Sequence, residues 1–335
     1  MVYKHGMKPT KVFDTYWRFA AERQAIFYRR LMGGPGSWTS DPVLKNYRFT
    51  NAYRAIDRVS QYLIQKVQYG PGRSQDPEEI FFRTLLFKIF NKIETWEALE
   101  HKIGPITWTE VKIAEISRAL DSIISHGGRI YSSAYIMPSP PFGFPRKHVN
   151  HIALLTQMMG DQVPERIAYA PSLKSVYEIL ACYPGLGPFL AFQYTIDLNY
   201  SSMLVFEEAD FVVAGPGAVD GISKCFSDFE DHTAEYVIRW TVDRQKTEFD
   251  RLGLNFGTLF GRWLQPIDCQ NLFCEISKYA RVAHPDVPGI ANRHRIKRSY
   301  IPDPRPLLPL VFPPRWQLTI PALFAEQRER PGCLV

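Results

Sequence analysis

A chain of 335 residues can bury a sizeable core, and 45% hydrophobic with 14% aromatic content places it among globular proteins, not disordered or fibrous ones. A net charge of +6 and a pI near 9.0 fit one basic face for a polyanion and exclude a histone-like chain. No apolar run approaches the roughly 18–20 residues of a membrane span, and the Met1–Lys8 start has no apolar signal core. The expectation is a soluble, cytoplasmic monomer with no membrane partner.

Helical periodicity dominates and β-type alternation is almost absent, so the expected class is all-α. Residues 11–32 read as a long helix ending at Gly33-Gly34. Asn51 to Gln68 reads as another, with Ala52, Ile56, Val59, Leu63 and Val67 on one face. Asp76-Pro77 starts a helix that runs to about Asn91, with Pro at its first position and Glu78-Glu79 in its first turn. Thr95 opens a short helix, and Thr109 caps one that stops at Gly127-Gly128. After a Pro/aromatic loop at 138–145, helices are expected at 147–159, 173–182, 188–199, 231–252 and 267–282, with a further start after Gly215-Pro-Gly217.

In domain terms, residues 1–284 are expected to form a helical body of two lobes carrying a hairpin at 173–199. Residues 285–335 form a basic, Pro-rich extension with little regular structure. The five cysteines, Cys182, Cys225, Cys269, Cys274 and Cys333, are odd in number and scattered, which argues for reduced thiols. No metal and no cofactor are expected.

The chemistry concentrates in a few segments. Leu180-Ala-Cys-Tyr-Pro-Gly-Leu-Gly-Pro-Phe-Leu-Ala191 reads as helix, tight turn and helix, in which Gly185 and Gly187 let the backbone turn sharply. The amides opening the second helix are free to receive a phosphate. Asp210 lies 23 residues past Gly187 and ahead of a Gly-Pro-Gly turn, where its carboxylate can be half-buried and aimed into a cleft or can simply stabilise a turn. Tyr47-Arg-Phe-Thr-Asn-Ala-Tyr-Arg-Ala-Ile-Asp-Arg58 puts Arg54 and Arg58 on one helix face, with Arg48 and Asn51 just ahead. Arginines so placed suit a phosphate or an ion pair with Asp57. Asn91 closes an apolar helix, and Asn271, Glu275 and Lys278 share a polar helix face. The basic run Arg293, Arg295, Lys297, Arg298 suits DNA or solvent equally.

The hairpin with its spaced Asp resembles the helix-hairpin-helix of DNA glycosylases. A wider set resembles the alpha-glutamyl/putrescinyl thymine pyrophosphorylase-like family, itself related to the helical domain of hydroxymethyl-deoxyuridine DNA kinases. The matching pieces are Arg48-Phe-Thr-Asn-Ala-Tyr-Arg54 with Asp57-Arg58, Gly187-Pro-Phe-Leu-Ala191, Asp197-Leu-Asn-Tyr-Ser201, Gly215-Pro-Gly217 with Asp220-Gly-Ile222, and Gln270-Asn-Leu-Phe-Cys-Glu275 with Lys278-Tyr279.

The resemblance implies a helix-hairpin-helix glycosylase-like fold acting on a modified pyrimidine in double-stranded DNA, in a setting such as anti-phage defence. It implies a flipped base, with Asp210 as the carboxylate that assists N-glycosidic hydrolysis and Asp197 as its backup. Asn199, Tyr200, Asn51, Asn91, Asn271, Glu275 and Asp220 would shape the base pocket. Gly185, Gly187, Arg48, Arg54, Arg58, Lys278 and the 293–298 basic run would hold DNA. Bifunctional members carry a lysine where Phe189 stands, so the expected product is an abasic site. Two alternatives stay open: a transferase that displaces pyrophosphate from an activated hydroxymethyl-pyrimidine, with Arg48, Arg54, Arg58 and Lys278 on the phosphates, and a DNA-binding module without catalysis. A phosphate-cradling kinase loop is missing from these residues; Gly70-Pro-Gly-Arg-Ser lacks the lysine. The four-cysteine iron–sulfur array of some helix-hairpin-helix glycosylases is missing too.

Overall fold

Thr10 opens the first long helix: its hydroxyl accepts the Val12 amide at 3.1 Å, and the helix runs Lys11–Leu31. A computed structural model of the chain describes residues 6–33, 38–133, 137–302, 307 and 309–325. Among the described residues 56% are helix and 3% strand, an all-α architecture. It divides into two units.

The first unit takes residues up to Asp57, then Phe211–Leu310, then the chain from Gln317. Its framework is the Lys11–Leu31 helix packed on Pro266–Ala283, which in turn packs on Pro216–Cys225 and Ala234–Arg251. Aromatic side chains fill the space between them. Phe13 meets Phe226 at 4.8 Å between ring centroids, Tyr16 meets Phe273 at 4.6 Å, and Trp17 meets Phe249 edge-on at 5.0 Å. Two helices touch backbone to backbone at Gly221, where a Cβ would stand 1.9 Å from the Phe273 carbonyl oxygen. A two-residue strand, Lys8–Pro9, pairs antiparallel with Phe226–Asp228.

The second unit spans Arg58–Asp210 and takes back Val311–Trp316. Its central helix, Pro77–Phe90, is buried at every position from Ile80 to Phe90, as expected of a helix with apolar residues all round. Around it pack Leu63–Gln68, Lys147–Gly160, Val163–Ala168 and Pro188–Asn199. Ile93–Ile103 and Glu110–Ser125 pack on each other, as do Leu173–Ala181 and Pro188–Asn199.

Most expected helices appear within a few residues of their predicted ends; the 51–68 helix does not. Its first part is a 3-10 turn, Arg54–Ile56, followed by Asp57 in extended backbone, then Arg58–Tyr62 and a π-helical Leu63–Gln68. Local polar bonds replace the helical ladder here. The Asn51 amide donates to Asp57 Oδ1 at 2.9 Å, and Asn51 Nδ2 donates to the Ile56 carbonyl at 3.1 Å. Arg54 and Arg58 therefore do not form the expected fork on one helix face. Two short helices, Pro42–Asn46 and Val163–Ala168, were not expected.

The C-terminal segment is largely irregular but pinned. Ser299 pairs with Tyr47, the Arg48 amide donates to the Arg298 carbonyl, and the Tyr300 amide donates to the Asn46 carbonyl. Farther on, Gln61 exchanges two hydrogen bonds with the Val311 backbone. Arg315 donates to the carbonyls of Asn199, Ser201 and Leu204. Cys182, Cys225, Cys269 and Cys274 are free thiols; Cys333 and Gly34 lie outside the described residues. Among the described residues no helix is long and apolar enough to cross a membrane, and no group of three or more His, Cys, Asp or Glu is placed to hold a metal ion.

Candidate active site

The hairpin is present. Ser172 caps Leu173–Ala181 by accepting the Ser175 amide, Gly185 takes φ +83°, and Gly187 in extended backbone precedes Pro188 at the first position of the next helix. Gly187 is exposed, and no side chain caps the helix it opens.

Asp210 lies on an exposed turn, where its amide donates to the Glu207 carbonyl at 3.2 Å. The half-buried setting expected of it is not found. Asp197 is the opposite case: fully buried, its carboxylate faces the buried Lys88 ammonium at 3.3 Å. Lys88 also donates to Asn91 Oδ1 at 2.8 Å, and Asn91 sits in left-handed backbone at the helix end. Gln68 completes this interior polar group by donating to Thr84 and to the Asp197 carbonyl. Asn199 is buried with both amide ends spent on the Phe206 backbone, and Tyr200 is buried edge-on to Trp316. Asp220 is buried in the first unit, accepting from Ser277 and from the Ala291 amide.

A group of charges in the first unit forms where the Phe49-Thr-Asn51 segment runs past the Pro266–Ala283 helix. Two successive amides hold two different carboxylates: Thr50 N–H donates to Glu275 Oε2 at 3.1 Å, and Asn51 N–H donates to Asp57 Oδ1 at 2.9 Å. Adjacent peptide groups are one residue apart, so the carboxylates are brought close together. Lys278 bonds Glu275 Oε2 at 2.6 Å and lies 5.3 Å from the centre of the Phe49 ring. From the first helix, Arg23 donates to the carbonyls of Thr50 and Phe49 and to Asn51 Oδ1. Phe19 meets Phe49 and Tyr279 edge-on beside the group, Phe49 and Tyr279 meet tilted, and Tyr279 donates to Asp41.

Burial raises the Asp57 carboxyl to about 6; the Asn51 amide, Arg23 and Arg54 act against the rise and the Glu275 charge adds to it. Such a carboxyl changes protonation close to neutral pH, as a group that moves protons must.

Four of the sequence-derived residues, Asn51, Arg54, Glu275 and Lys278, lie at or beside this group, and Asn271 is on the same face of the Glu275 helix. Arg54 is buried and its amide donates to Asp268, so it backs the group from within. Arg48, Arg293, Arg295, Lys297 and Arg298 are exposed in the same unit. Asp57 and Arg23 were missed as site residues. Asp57 read as a partner for Arg54, and Arg23 read as one of many charges on a long helix; only the break at 54–57 turns them toward Asn51.

The family described as "5-hmdU DNA kinase, helical domain" matches residues 10–289. A protein of Bacillus phage SP10 named "5-hmdU DNA kinase" is 28% identical over 289 residues, which cover 80% of this chain and 45% of that protein. The chain thus spans less than half the length of this curated relative. No solved structure matches.

Proposed function

The chain belongs to the family of the 5-hmdU DNA kinase helical domain, and from that premise we propose that it acts on a modified pyrimidine in DNA and excises the base by hydrolysing its N-glycosidic bond. The observation that carries this reading is the Asp57–Glu275 pair, two carboxylates seated on successive amides in a group flanked by Arg23 and Lys278.

N-glycosidic cleavage develops positive charge on the deoxyribose while the base leaves with the bonding electrons. Water attacks C1′ and loses a proton. A carboxylate beside the sugar stabilises the cation and can take that proton; a second carboxylate beside it can orient the attacking water. Asp57, ionised above about pH 6, fills the first role. Glu275, fixed by Thr50 and Lys278, fills the second. Reaching a base in duplex requires flipping it out, at a cost of a few kcal/mol for unstacking. Arg48 and the Arg293–Arg298 run, exposed in the same unit as the pair, supply backbone contacts. Asp210, exposed on the turn after the hairpin, is the remaining carboxylate the hairpin spacing nominates.

The test is abasic-site release by the purified protein from unmodified, hydroxymethylated and glucosylated DNAs. Wild type is compared with Asp57→Asn, Glu275→Gln and Asp210→Asn. Abasic sites on one modified DNA, lost in Asp57→Asn, support the reading. Loss in Asp210→Asn with Asp57→Asn still active transfers the chemistry to the hairpin carboxylate. Intact glycosidic bonds across the panel overturn base excision.

A further inference from the structure

A second charged cavity lies in the first unit, where the chain after the Pro266–Ala283 helix folds back over the Pro216–Cys225 helix. Its walls include Lys224, Arg281, His284, Arg293 and His294, with the Gly289 backbone as its rim. Lys224 is only 3% exposed, yet its ammonium makes no hydrogen bond or ion pair among the described residues. Arg281 donates through its terminal nitrogens to the Arg295 carbonyl and the Ser277 hydroxyl, while its Nε–H is buried without a partner.

The counter-charge is insufficient. Asp220 is the carboxylate set against Lys224 and Arg281, and its oxygens are already taken by Ser277 and the Ala291 amide. Asp286, near His284, is spent on Lys11 at 2.7 Å. Burial lowers the proton affinities of both Lys224 and Arg281. Asp220 raises them again, and each has a cationic neighbour that lowers them further, Arg281 for Lys224 and Arg293 for Arg281. A lysine buried along its stem whose ammonium has no carboxylate at ion-pair distance is costly to keep charged, and an anion in the cavity would complete it. Gly289 is required for the approach: a Cβ there would stand 2.3 Å from Asp220 Oδ1 and 2.6 Å from Lys224 Cε.

We propose that this cavity binds the phosphate group of a phosphoester, with Lys224 and Arg281 as inner cations and Arg293 at the mouth. Three converging cations, against a buried and occupied Asp220 and a Glu275 already held by Thr50 and Lys278, call for an oxyanion of more than one acceptor, and guanidinium with ammonium is the donor set that phosphate takes. The cavity shares Arg293 with the basic run of the base-excision reading, but the two are tested apart: phosphate titration reports on the cavity and abasic-site release on the excision.

The experiment titrates inorganic phosphate into the full chain at fixed ionic strength, following 31P line broadening and thermal unfolding. It is run on wild type, Lys224→Met, Arg293→Ala and the exposed control Lys246→Ala. The expected result is saturable binding that weakens roughly tenfold or more in Lys224→Met and Arg293→Ala and is unchanged in Lys246→Ala. Arg293 is exposed with no structural partner among the described residues, so its variant reports even if Lys224→Met fails to fold. Equal response in all four proteins, or none in wild type, overturns the proposal. Displacement of bound phosphate by duplex DNA identifies a strand phosphate as the ligand. Displacement by a nucleoside monophosphate but not by duplex identifies a small phosphomonoester, and displacement by neither overturns the phosphoester assignment.

Discussion

Lys88 Nζ and Asp197 Oδ2 face each other at 3.3 Å inside the second unit, both side chains almost completely removed from solvent. Asp197 stands at the end of the hairpin's second helix, the place a glycosylase-like reading gives to a backup carboxylate. Its burial against Lys88, with Asn91 on the same ammonium, makes it part of the interior instead.

Removing one partner leaves an uncompensated buried charge, whereas removing both leaves only a repacking problem. Asp197→Asn or Lys88→Met should each lower stability by about 3–5 kcal/mol, and the double variant should recover most of that loss. Denaturant unfolding of the four proteins measures the coupling. A Lys88→Met/Asp197→Asn protein that folds well and still excises bases removes Asp197 from the chemistry; additive losses contradict the ion-pair account.

Asp57 gives a prediction in which stability and activity move in opposite directions. Its carboxyl is raised from an unfolded value of 3.8 to about 6. In that window the folded protein holds the proton and the unfolded chain does not, so stability falls as pH rises from about 4 to 6 and is flat beyond. The shift corresponds to about 3 kcal/mol. Asp57→Asn keeps an acceptor for the Asn51 amide and removes the charge. Its unfolding free energy should lose that pH dependence and exceed wild type at pH 8. Base excision by wild type should rise through about pH 6 as Asp57 ionises, and be lost in the variant. Parallel pH–stability curves for the two proteins refute this.

The sequence made the hairpin legible because its signals are local: Ser172 as cap, Gly185 for positive φ, Pro188 at the first helical position. The all-α class followed from periodicity for the same reason. The 51–68 segment misled because its apolar spacing is helical while Asn51 and Asp57 satisfy the backbone another way, a competition that spacing cannot rank. The Asp57–Glu275 pair depends on residues far apart in the chain meeting on neighbouring amides, and only the folded chain shows that. Asn91 and Tyr200 illustrate the converse: polar residues at helix ends read as pocket residues, and the interior uses them.

Arg315 ties the C-terminal segment to the end of the hairpin, donating to Leu204 at 2.7 Å and to the carbonyls of Ser201 and Asn199. These carbonyls follow the helix end and have no helical partner. Arg315→Ala should cost about 2–3 kcal/mol, in line with charge-assisted hydrogen bonds. It should also open the 200–206 loop to limited proteolysis, read as a new cleavage between the two parts of the chain. Unchanged stability and cleavage pattern would show that the segment packs without help from this side chain.

Gly221 tests the packing that carries the charged groups of the first unit. The Pro216–Cys225 and Pro266–Ala283 helices approach so closely that a Cβ at 221 would lie 1.9 Å from Phe273 O and 2.7 Å from its carbonyl carbon. Both atoms are backbone, so no side chain can swing aside; the helices must separate. Alanine is otherwise favoured over glycine in a helix by about 1 kcal/mol. Gly221→Ala should nonetheless destabilise by several kcal/mol, because separation strips contacts from Phe273 and its aromatic neighbours. Since Glu275 and Lys278 follow Phe273 by two and five residues on the same helix, the same substitution should reduce base excision even in protein that remains folded. A Gly221→Ala protein as stable as wild type would mean that the two helices are farther apart than described.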